Sequence, residues 1–120
     1  EGVLIVGTGS ITHNLRRVFE NGMHDAGQPE ITESKAFRAW MHDKSSARNW
    51  EALFNYRALA PHAVDMHPSD EHLLPWFIAA GAGGRDAAPQ RLHESVTFGA
   101  LGMDTYAFGA AAAELASSLR

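Results

Sequence analysis

The stretch that decides the fold reads GVLIVGTGS and occupies residues 2–10. Its four consecutive apolar residues, Val3 to Val6, precede a glycine-rich segment, a pattern typical of a β-strand that is buried on both faces. Such strands lie inside parallel sheets with a neighbour on each side, yet the chain enters this one directly after Glu1. We therefore expect an α/β fold with a central sheet flanked by helices, of which this chain forms an incomplete half. The alternative is an edge strand exposed by trimming of the chain.

Downstream of this strand, the sequence predicts further helices and strands. Apolar periodicity and start signals place helices at residues 12–20 (ended by Asn21-Gly22), 34–43, 49–59, 68–80 and 110–119, and β-branched and aromatic residues place strands at 93–98 and 103–108. The first helix has Thr12 as its N-cap and an inward-facing stripe of Leu15, Val18 and Phe19. The fourth helix is apolar nearly all round, which predicts burial, and Pro75 should kink it or restart it.

Length and composition exclude several classes of protein. With 120 residues and 45% hydrophobic residues, the chain is one small globular domain or part of a larger one. Its net charge of −4 and its lack of a basic tract argue against nucleic acid and anionic membranes as partners. The absence of cysteine excludes disulfides, thiolate zinc sites and a cysteine nucleophile. Its apolar runs are far shorter than the ~20 residues of a membrane span and no signal-peptide pattern opens the chain, so elimination favours the cytoplasm.

The glycine-rich segment at residues 7–10 is the first candidate for chemistry. Backbone N–H groups of such a turn can approach an anion. The dinucleotide-binding fingerprint is incomplete, because Thr12 replaces its third glycine and no acidic residue follows a second strand. The lysine of a Walker phosphate-binding loop is missing as well. We interpret the segment as a tight turn that delivers His13 to a cleft at the end of the strand. Because the helix dipole should keep His13 neutral, it could accept a proton or bind a metal. The alternative is a surface or capping histidine.

The second candidate is the segment HPSDEH at residues 67–72. His67 and His72 are five residues apart across a helix start, so they do not share a helix face, and the spacing differs from the HExxH zinc arrangement. One histidine from the loop and one from the helix could still point into one cleft, where Asp70 and Glu71 could ligate a hard metal or orient an imidazole. The alternative is helix capping with incidental histidines.

The remaining histidines and the aromatic residues give weaker signals. His24 and His42 are expected in solvent, His62 in a loop, and His93, beside Glu94, is a candidate pocket residue. Five aromatic residues at helical spacing are expected in the core, and these are Trp40, Trp50, Phe54, Trp76 and Phe77.

Three segments, taken together and in order, resemble one protein family. Residues 3–16, VLIVGTGSITHNLR, resemble its strand, its glycine and serine turn and its His-Asn-Leu-Arg helix start. Residues 68–75, PSDEHLLP, followed by Ala-Gly-Ala at 80–82, resemble its Pro-x-x-Glu-His-x-x-Pro helix. Residues 98–103, FGALGM, with Phe-Gly at 108–109, resemble its closing strand pair. The family is that of the class III extradiol ring-cleavage dioxygenases of LigB type, in the branch similar to 4,5-DOPA dioxygenases.

The resemblance implies a fold and a reaction. Residues 1–109 would be the C-terminal half of a LigB-like dioxygenase domain, followed by an alanine-rich tail at 110–120. The reaction would be extradiol cleavage of a catechol-type aromatic ring by dioxygen at a non-haem metal site. Fe(II) is the metal that the resemblance implies first, and Zn(II) is the second choice.

The resemblance also implies roles for individual residues. His72 matches a metal ligand of the family, and His13 matches the acid/base histidine near the metal, which is sometimes counted among the ligands. Asn14, Arg16 and His67 are candidates for substrate binding or for support of that histidine. The partners would be a catechol-type substrate and dioxygen.

One departure from the family pattern is large. The family's other two histidine ligands lie in a Gly-His motif and a later His-Trp pair of the N-terminal half, and neither motif occurs in these 120 residues. We therefore expect the chain alone to bind metal poorly and not to turn over, with the missing half supplied by the same or another polypeptide. Two alternatives stay open: a non-catalytic LigB-like module for metal binding or protein interaction, and a zinc-dependent hydrolase or isomerase. An exposed sheet edge could also promote a homo-oligomer.

Overall fold

A computed structural model describes residues 2–20 and 26–120 and shows a mixed α/β chain, as the sequence predicts. The helices of the described residues are α1 Leu15–Glu20, α2 Thr32–Ser46, α3 Trp50–Phe54, α4 Tyr56–Leu59, α5 Ala63–Met66, α6 Leu74–Gly83 and α7 Ala112–Ser118. The strands are β1 Gln90–His93, β2 Val96–Thr97, β3 Leu101–Gly102 and β4 Thr105–Ala107. None of the helices in the described part is long and apolar enough to cross a bilayer. The predicted helix stop at Asn21-Gly22 lies outside the described residues, as does His24.

The opening stretch departs from the prediction of a buried strand. Residues 2–9 form neither helix nor strand and pair with no strand among the described residues, and Leu4 is 84% exposed. The predicted turn at 7–10 is wrong as well, because this segment runs straight across the start of α6. A Cβ atom on Gly7 would lie 2.2 Å from the carbonyl oxygen of Pro75. The glycine is therefore required by close contact between two backbones rather than by a turn.

The two strands predicted near the C-terminus form two short hairpin-like pairs instead. β1 pairs antiparallel with β4, and β2 pairs antiparallel with β3. An isolated bridge joins Thr12 to Gly102, so that residues 11–12 run along β3. The sheet of the described residues therefore consists of two antiparallel pairs, and the opening stretch belongs to neither.

The hydrophobic core lies between α2, the short helices α3 to α5 and the start of α6. Its fully buried members are Phe37, Met41, Leu53, Met66 and Leu73. Of the five aromatic residues expected in the core, Trp50 and Trp76 belong to it and Trp40 and Phe77 pack against it, whereas Phe54 is exposed and lies under Arg85. The prediction for Phe54 is therefore wrong.

Two helices bury less apolar surface than their sequences predict. In α6, Trp76 and Ala80 are buried, but Ile78 is 65% exposed, because only one side of the helix packs on the core. Pro75 stands in the first turn of α6, which begins at Leu74, so the predicted helix start at residues 68–71 is wrong and these residues lie in bends and a turn instead. In α1, Val18 is buried, whereas the other two members of the predicted stripe, Leu15 and Phe19, are exposed.

The start of α1 is also later than predicted. Thr12 is not the N-cap, because its buried hydroxyl accepts a hydrogen bond from the Gly102 amide at 2.7 Å and donates to the Ala100 carbonyl at 3.0 Å. The cap is provided by Asn14, whose side-chain oxygen accepts from the Arg17 amide. His13 therefore lies in the extended segment before the helix rather than in its first turn.

An ion cluster around the buried guanidinium of Arg38 ties α2 to the strand pairs. The guanidinium of Arg38 bonds Glu30 at 2.8 Å and Asp104 at 2.7 Å, and Glu94 lies 3.3 Å away. The side chain of Asp104 is 0% exposed, and Arg91 approaches it from β1 at 3.7 Å. We call these five residues the Arg38 cluster, which holds β3 and β4 against the helical side of the chain.

Candidate active site

The two histidines singled out from distant motifs meet in the structure. The rings of His13 and His72 stack with their centroids 3.6 Å apart and their planes 20° from parallel. Both line a cleft of about 620 Å³. The rest of its lining is Asn14, Leu15, Arg16, Val64, Asp65, Pro68, Ser69 and Glu71. Residues that are 59 positions apart in the sequence therefore share one opening.

The extended segment at residues 10–13 brings His13 to this position through four backbone hydrogen bonds. The Ser10 amide donates to the His72 carbonyl at 2.8 Å, which joins the segment directly to the residue that carries the second ring. The His13 amide donates to the Met66 carbonyl at 2.9 Å. On the other side, Ile11 and Thr12 exchange hydrogen bonds with Gly102 of β3. Hydrogen bonds to His72, Met66 and Gly102 thus fix the segment at the point where the imidazole of His13 enters the cleft.

The pKa of His13 lies below its ordinary value of 6.5. Burial of the ring is the main cause, and the charge of a protonated His72 is the second, while Glu71 acts in the opposite direction. A neutral His13 is expected from the sequence as well, but the cause is burial rather than the dipole of α1, which begins only at Leu15. At pH 7 the ring therefore carries a lone pair that can accept a proton or bind a metal.

An acidic side chain stands beside the second ring. The carboxylate of Glu71 lies 3.8 Å from Nε2 of His72 and lines the same cleft. The pKa of Glu71 is lowered, first by a hydrogen bond from Ser69 and then by its own backbone amide and by His72 and His13. Glu71 is therefore ionised at neutral pH on the rim of the cleft.

Asn14 and Arg16 occupy different positions in the cleft. Asn14 is buried, and its amide group donates to the Asp65 backbone carbonyl at 2.5 Å and to the Asp65 carboxylate at 3.2 Å. Arg17 also bonds this carboxylate, so that Asp65 joins α5 to the start of α1. Arg16 is exposed on the cleft wall, and no described carboxylate forms an ion pair with it.

His67 and Asp70 lie outside the cleft lining. His67 is 0% exposed, and its Nε2 lies 2.7 Å from the carbonyl oxygen of Ile11. Asp70 accepts hydrogen bonds from the Tyr56 hydroxyl at 2.6 Å and from Arg57 at 2.7 Å. Of the acids expected to orient an imidazole, only Glu71 is therefore near one of the cleft histidines.

The other described histidines stand apart from the cleft. His42 lies near Asp43 on α2, His62 precedes α5 with a positive φ of 57°, and His93 is exposed and bonds the Ser95 hydroxyl at 2.8 Å. None of these three lines the cleft. Substitutions of these histidines can therefore serve as controls for substitutions of the cleft histidines.

The donor atoms in the cleft suit a borderline transition metal. Imidazole nitrogen binds iron, zinc and copper alike, and the two stacked rings bring two such donors to one opening. Within residues 2–20 and 26–120, no group of three or more histidine, cysteine or acidic side chains is arranged to hold a metal ion. The donor type suits a metal, but the described residues by themselves form no group that would hold one.

Sequence reasoning missed three residues of the cleft wall. Leu15 was assigned to the core, and Val64 and Asp65 were not singled out, yet all three line the opening. α5 is a single turn of four residues whose pattern carries no sign of a site. Its contact with Asn14 spans 51 positions of sequence, so only the folded chain reveals it.

Comparison with known proteins gives consistent matches. Residues 1–115 match the family described as the catalytic LigB subunit of aromatic ring-opening dioxygenase. Three similar proteins are each described as a 4,5-DOPA dioxygenase extradiol. The protein from Beta vulgaris is 31% identical over 108 residues, which are 90% of this chain and 38% of the relative. The proteins from Mirabilis jalapa and Portulaca grandiflora are 33% and 32% identical over 111 residues, again 90% of this chain and 39% and 38% of the relatives. The chain therefore spans less than two fifths of the length of these curated relatives.

Proposed function

Because the chain belongs to the LigB family of aromatic ring-opening dioxygenases, we propose that it supplies part of an active site for extradiol cleavage of a catechol-type ring. The observation that carries this proposal is the stacked pair of His13 and His72 on one open cleft. The pair lies on the two segments whose motifs resemble the family. The substrates would be a catechol and dioxygen, as the descriptions of the relatives suggest.

His72 and His13 would hold Fe(II), with Zn(II) as the second choice, because neutral imidazoles suit both metals. When bound, the metal would supply the open positions at which a catechol and dioxygen are activated. Two imidazoles are an incomplete ligand set. We therefore infer that the remaining ligands come from an N-terminal half of the same domain, which is consistent with relatives more than twice as long as this chain.

The uncovered opening stretch supports completion by further chain. Val3, Leu4 and Val6 are each exposed by more than two thirds in the structure, although such a run is typical of a buried strand. The first backbone amide of the stretch with a hydrogen bond to a described residue is that of Ser10. Strands from the N-terminal half would pair with this stretch and cover it.

The residues of the cleft suggest how the chain would bind the substrate and transfer its protons. Where His72 alone holds the metal, the lone pair of His13, which is neutral at pH 7, would accept a proton from a catechol hydroxyl and return it during ring opening. The side chains of Leu15 and Val64, both exposed on the cleft wall, would pack against the aromatic ring. Arg16 would stabilise negative charge on the substrate, because no described carboxylate neutralises it.

The test uses the intact protein that contains this chain and the N-terminal half. After anaerobic loading with Fe(II), a catechol should cause oxygen uptake and form a yellow ring-opened semialdehyde. We expect His72→Ala to abolish this activity through loss of a ligand, and His13→Ala to lower it by about 100-fold or more. The matched control is His93→Ala, which removes an exposed histidine outside the cleft. Full activity in both cleft variants would refute the site, and retained zinc without oxygen uptake would favour a hydrolase.

A further inference from the structure

His67 is a buried polar side chain to which the proposed chemistry gives no part. It is fully buried, and its ring packs against Phe37 with centroids 5.4 Å apart. Its backbone is fixed at both ends, because its amide donates to the Ala63 carbonyl at 2.8 Å and its carbonyl accepts from Arg57 at 2.9 Å. The position of the imidazole in the core is therefore set by the backbone around it.

The hydrogen bond of this ring determines its tautomer. A carbonyl oxygen can only accept, so Nε2 of His67 carries the proton that it donates to the Ile11 carbonyl at 2.7 Å. Burial lowers the pKa of His67, so the ring is neutral at pH 7 and Nδ1 is bare. No described residue hydrogen-bonds Nδ1, although the atom is buried.

A bare buried nitrogen is unfavourable, so the imidazole is a poor choice if the position only has to be filled. An apolar side chain of similar size would pack against Phe37 without an unsatisfied polar atom. What the imidazole adds is its bond to Ile11, two residues before His13. The next bond between the same segments runs from the His13 amide to the Met66 carbonyl at 2.9 Å.

We propose that His67 is a positioning residue whose Nε2–H bond to Ile11 fixes the segment that presents His13 to His72. Together with the Met66 carbonyl, it fastens residues 11–13 to the end of α5 at two adjacent points. Without the side-chain bond, residues 11–13 keep one hydrogen bond to the end of α5, that of the His13 amide to Met66, and the ring of His13 can move out of the stack. That His13 and His72 bind a metal rests on the proposed function, but the contact between their rings does not depend on it.

The first test measures ring geometry in the metal-free 120-residue chain by NMR. Long-range proton–nitrogen correlation should show the Nε2–H tautomer of His67, and the stacked rings should give cross-relaxation between His13 and His72 together with upfield ring-current shifts. We expect His67→Leu to lose these ring signals in the folded protein, whereas His67→Gln, which keeps an N–H donor at the end of the side chain, should restore them. Leu53→Ala is the matched control, because it removes a fully buried core side chain but leaves both partners of the His67–Ile11 hydrogen bond unchanged.

The second test titrates the same four proteins with Zn2+ alone. If His67 positions the pair, its replacement by Leu should weaken zinc binding by about 10 to 100-fold, as is typical for residues that support a ligand. The Gln variant and the control should bind as the unaltered chain does. An Nδ1–H tautomer in the unaltered chain would overturn the proposal, even if the Leu variant fails to fold. Intact ring signals in a folded Leu variant would also overturn it, whereas an inactive intact enzyme with these ring signals would reject only the proposed function.

Discussion

The backbone of Gly9 passes so close to the His72 carbonyl oxygen that a Cβ atom on Gly9 would lie 2.2 Å from it. The next residue completes the contact, because the Ser10 amide donates a hydrogen bond to the same oxygen at 2.8 Å. A side chain at position 9 would therefore separate the two segments that carry His13 and His72. The glycines of this stretch allow the two segments of the site to lie in close contact. They do not have the phosphate-binding role for which glycine-rich segments are best known.

This contact predicts that Gly9→Ala destabilises the chain. Because the atom that the new methyl group meets is backbone, the segments must move apart, which should lower the free energy of unfolding by about 1–3 kcal/mol. The matched control is Gly81→Ala in α6, where a Cβ atom meets nothing within 4 Å. The control should raise the free energy of unfolding by about 0.5–1 kcal/mol, since alanine favours helix. Equal urea midpoints for the two variants would contradict the close contact.

The Arg38 cluster predicts a large effect of a substitution far from the cleft. Arg38→Met removes the cation that faces the fully buried carboxylate of Asp104 and the largely buried carboxylate of Glu30. Glu30 would lose its ion pair and the buried Asp104 would keep only the more distant Arg91, which should lower the free energy of unfolding by about 3–5 kcal/mol. Arg48→Met, at an exposed arginine that bonds only a backbone carbonyl, should change it by no more than about 0.5 kcal/mol. Urea unfolding measures the free energy of unfolding of both variants. A similar loss of stability in each would show that the cluster is not a buried ion network.

The sequence predicted the pairing of His13 with His72 but not the environment of the opening stretch. The pairing could be predicted because both histidines lie in motifs that resemble one family. Val3 to Val6 form no strand and stay exposed because a strand needs partners, and among the described residues none pairs with them. Residue patterns indicate which segments are suited to a β-sheet, but the partner strands have to be present for the sheet to form.

Local patterns also could not predict which residues complete the site. The glycines at 7–10 were interpreted as a turn, since a close approach between backbones leaves the same residue in the sequence as a positive φ does. The wall formed by Val64 and Asp65 depends on contacts with Asn14 and α1 across about 50 positions. The bounds of α2 and α7, in contrast, followed from periodicity to within one to three residues at each end. The predicted helix at 49–59 is divided into α3 and α4, α5 was not predicted, and α6 begins about six residues later than predicted.

The buried histidine predicts a pH dependence of stability. Burial places the pKa of His67 in the folded chain below the ordinary value of 6.5 that it has when unfolded. The unfolded chain therefore binds more protons as the pH falls below about 6.5, and the stability that the neutral ring contributes above this pH is lost as the pH falls through the folded pKa. We expect the free energy of unfolding to fall more steeply between pH 7.5 and pH 5 in the unaltered chain than in His67→Gln. His93→Gln, at an exposed histidine, should keep the slope of the unaltered chain, and identical slopes in all three proteins would reject the buried neutral ring.

The uncovered opening stretch predicts opposite outcomes for one substitution in two lengths of chain. Leu4 is 84% exposed in the structure, so Leu4→Asp should change the free energy of unfolding of the 120-residue chain by no more than about 0.5 kcal/mol. In an intact protein whose N-terminal half covers this stretch, the same carboxylate would be buried in a sheet and should cost several kcal/mol or prevent folding. Leu119→Asp, at a residue that is 62% exposed near the end of the chain, is the control and should be neutral in both proteins. Equal tolerance of Leu4→Asp in both lengths would mean that no further strand pairs with residues 2–9, and the proposed completion of the site by an N-terminal half would then lack its structural basis.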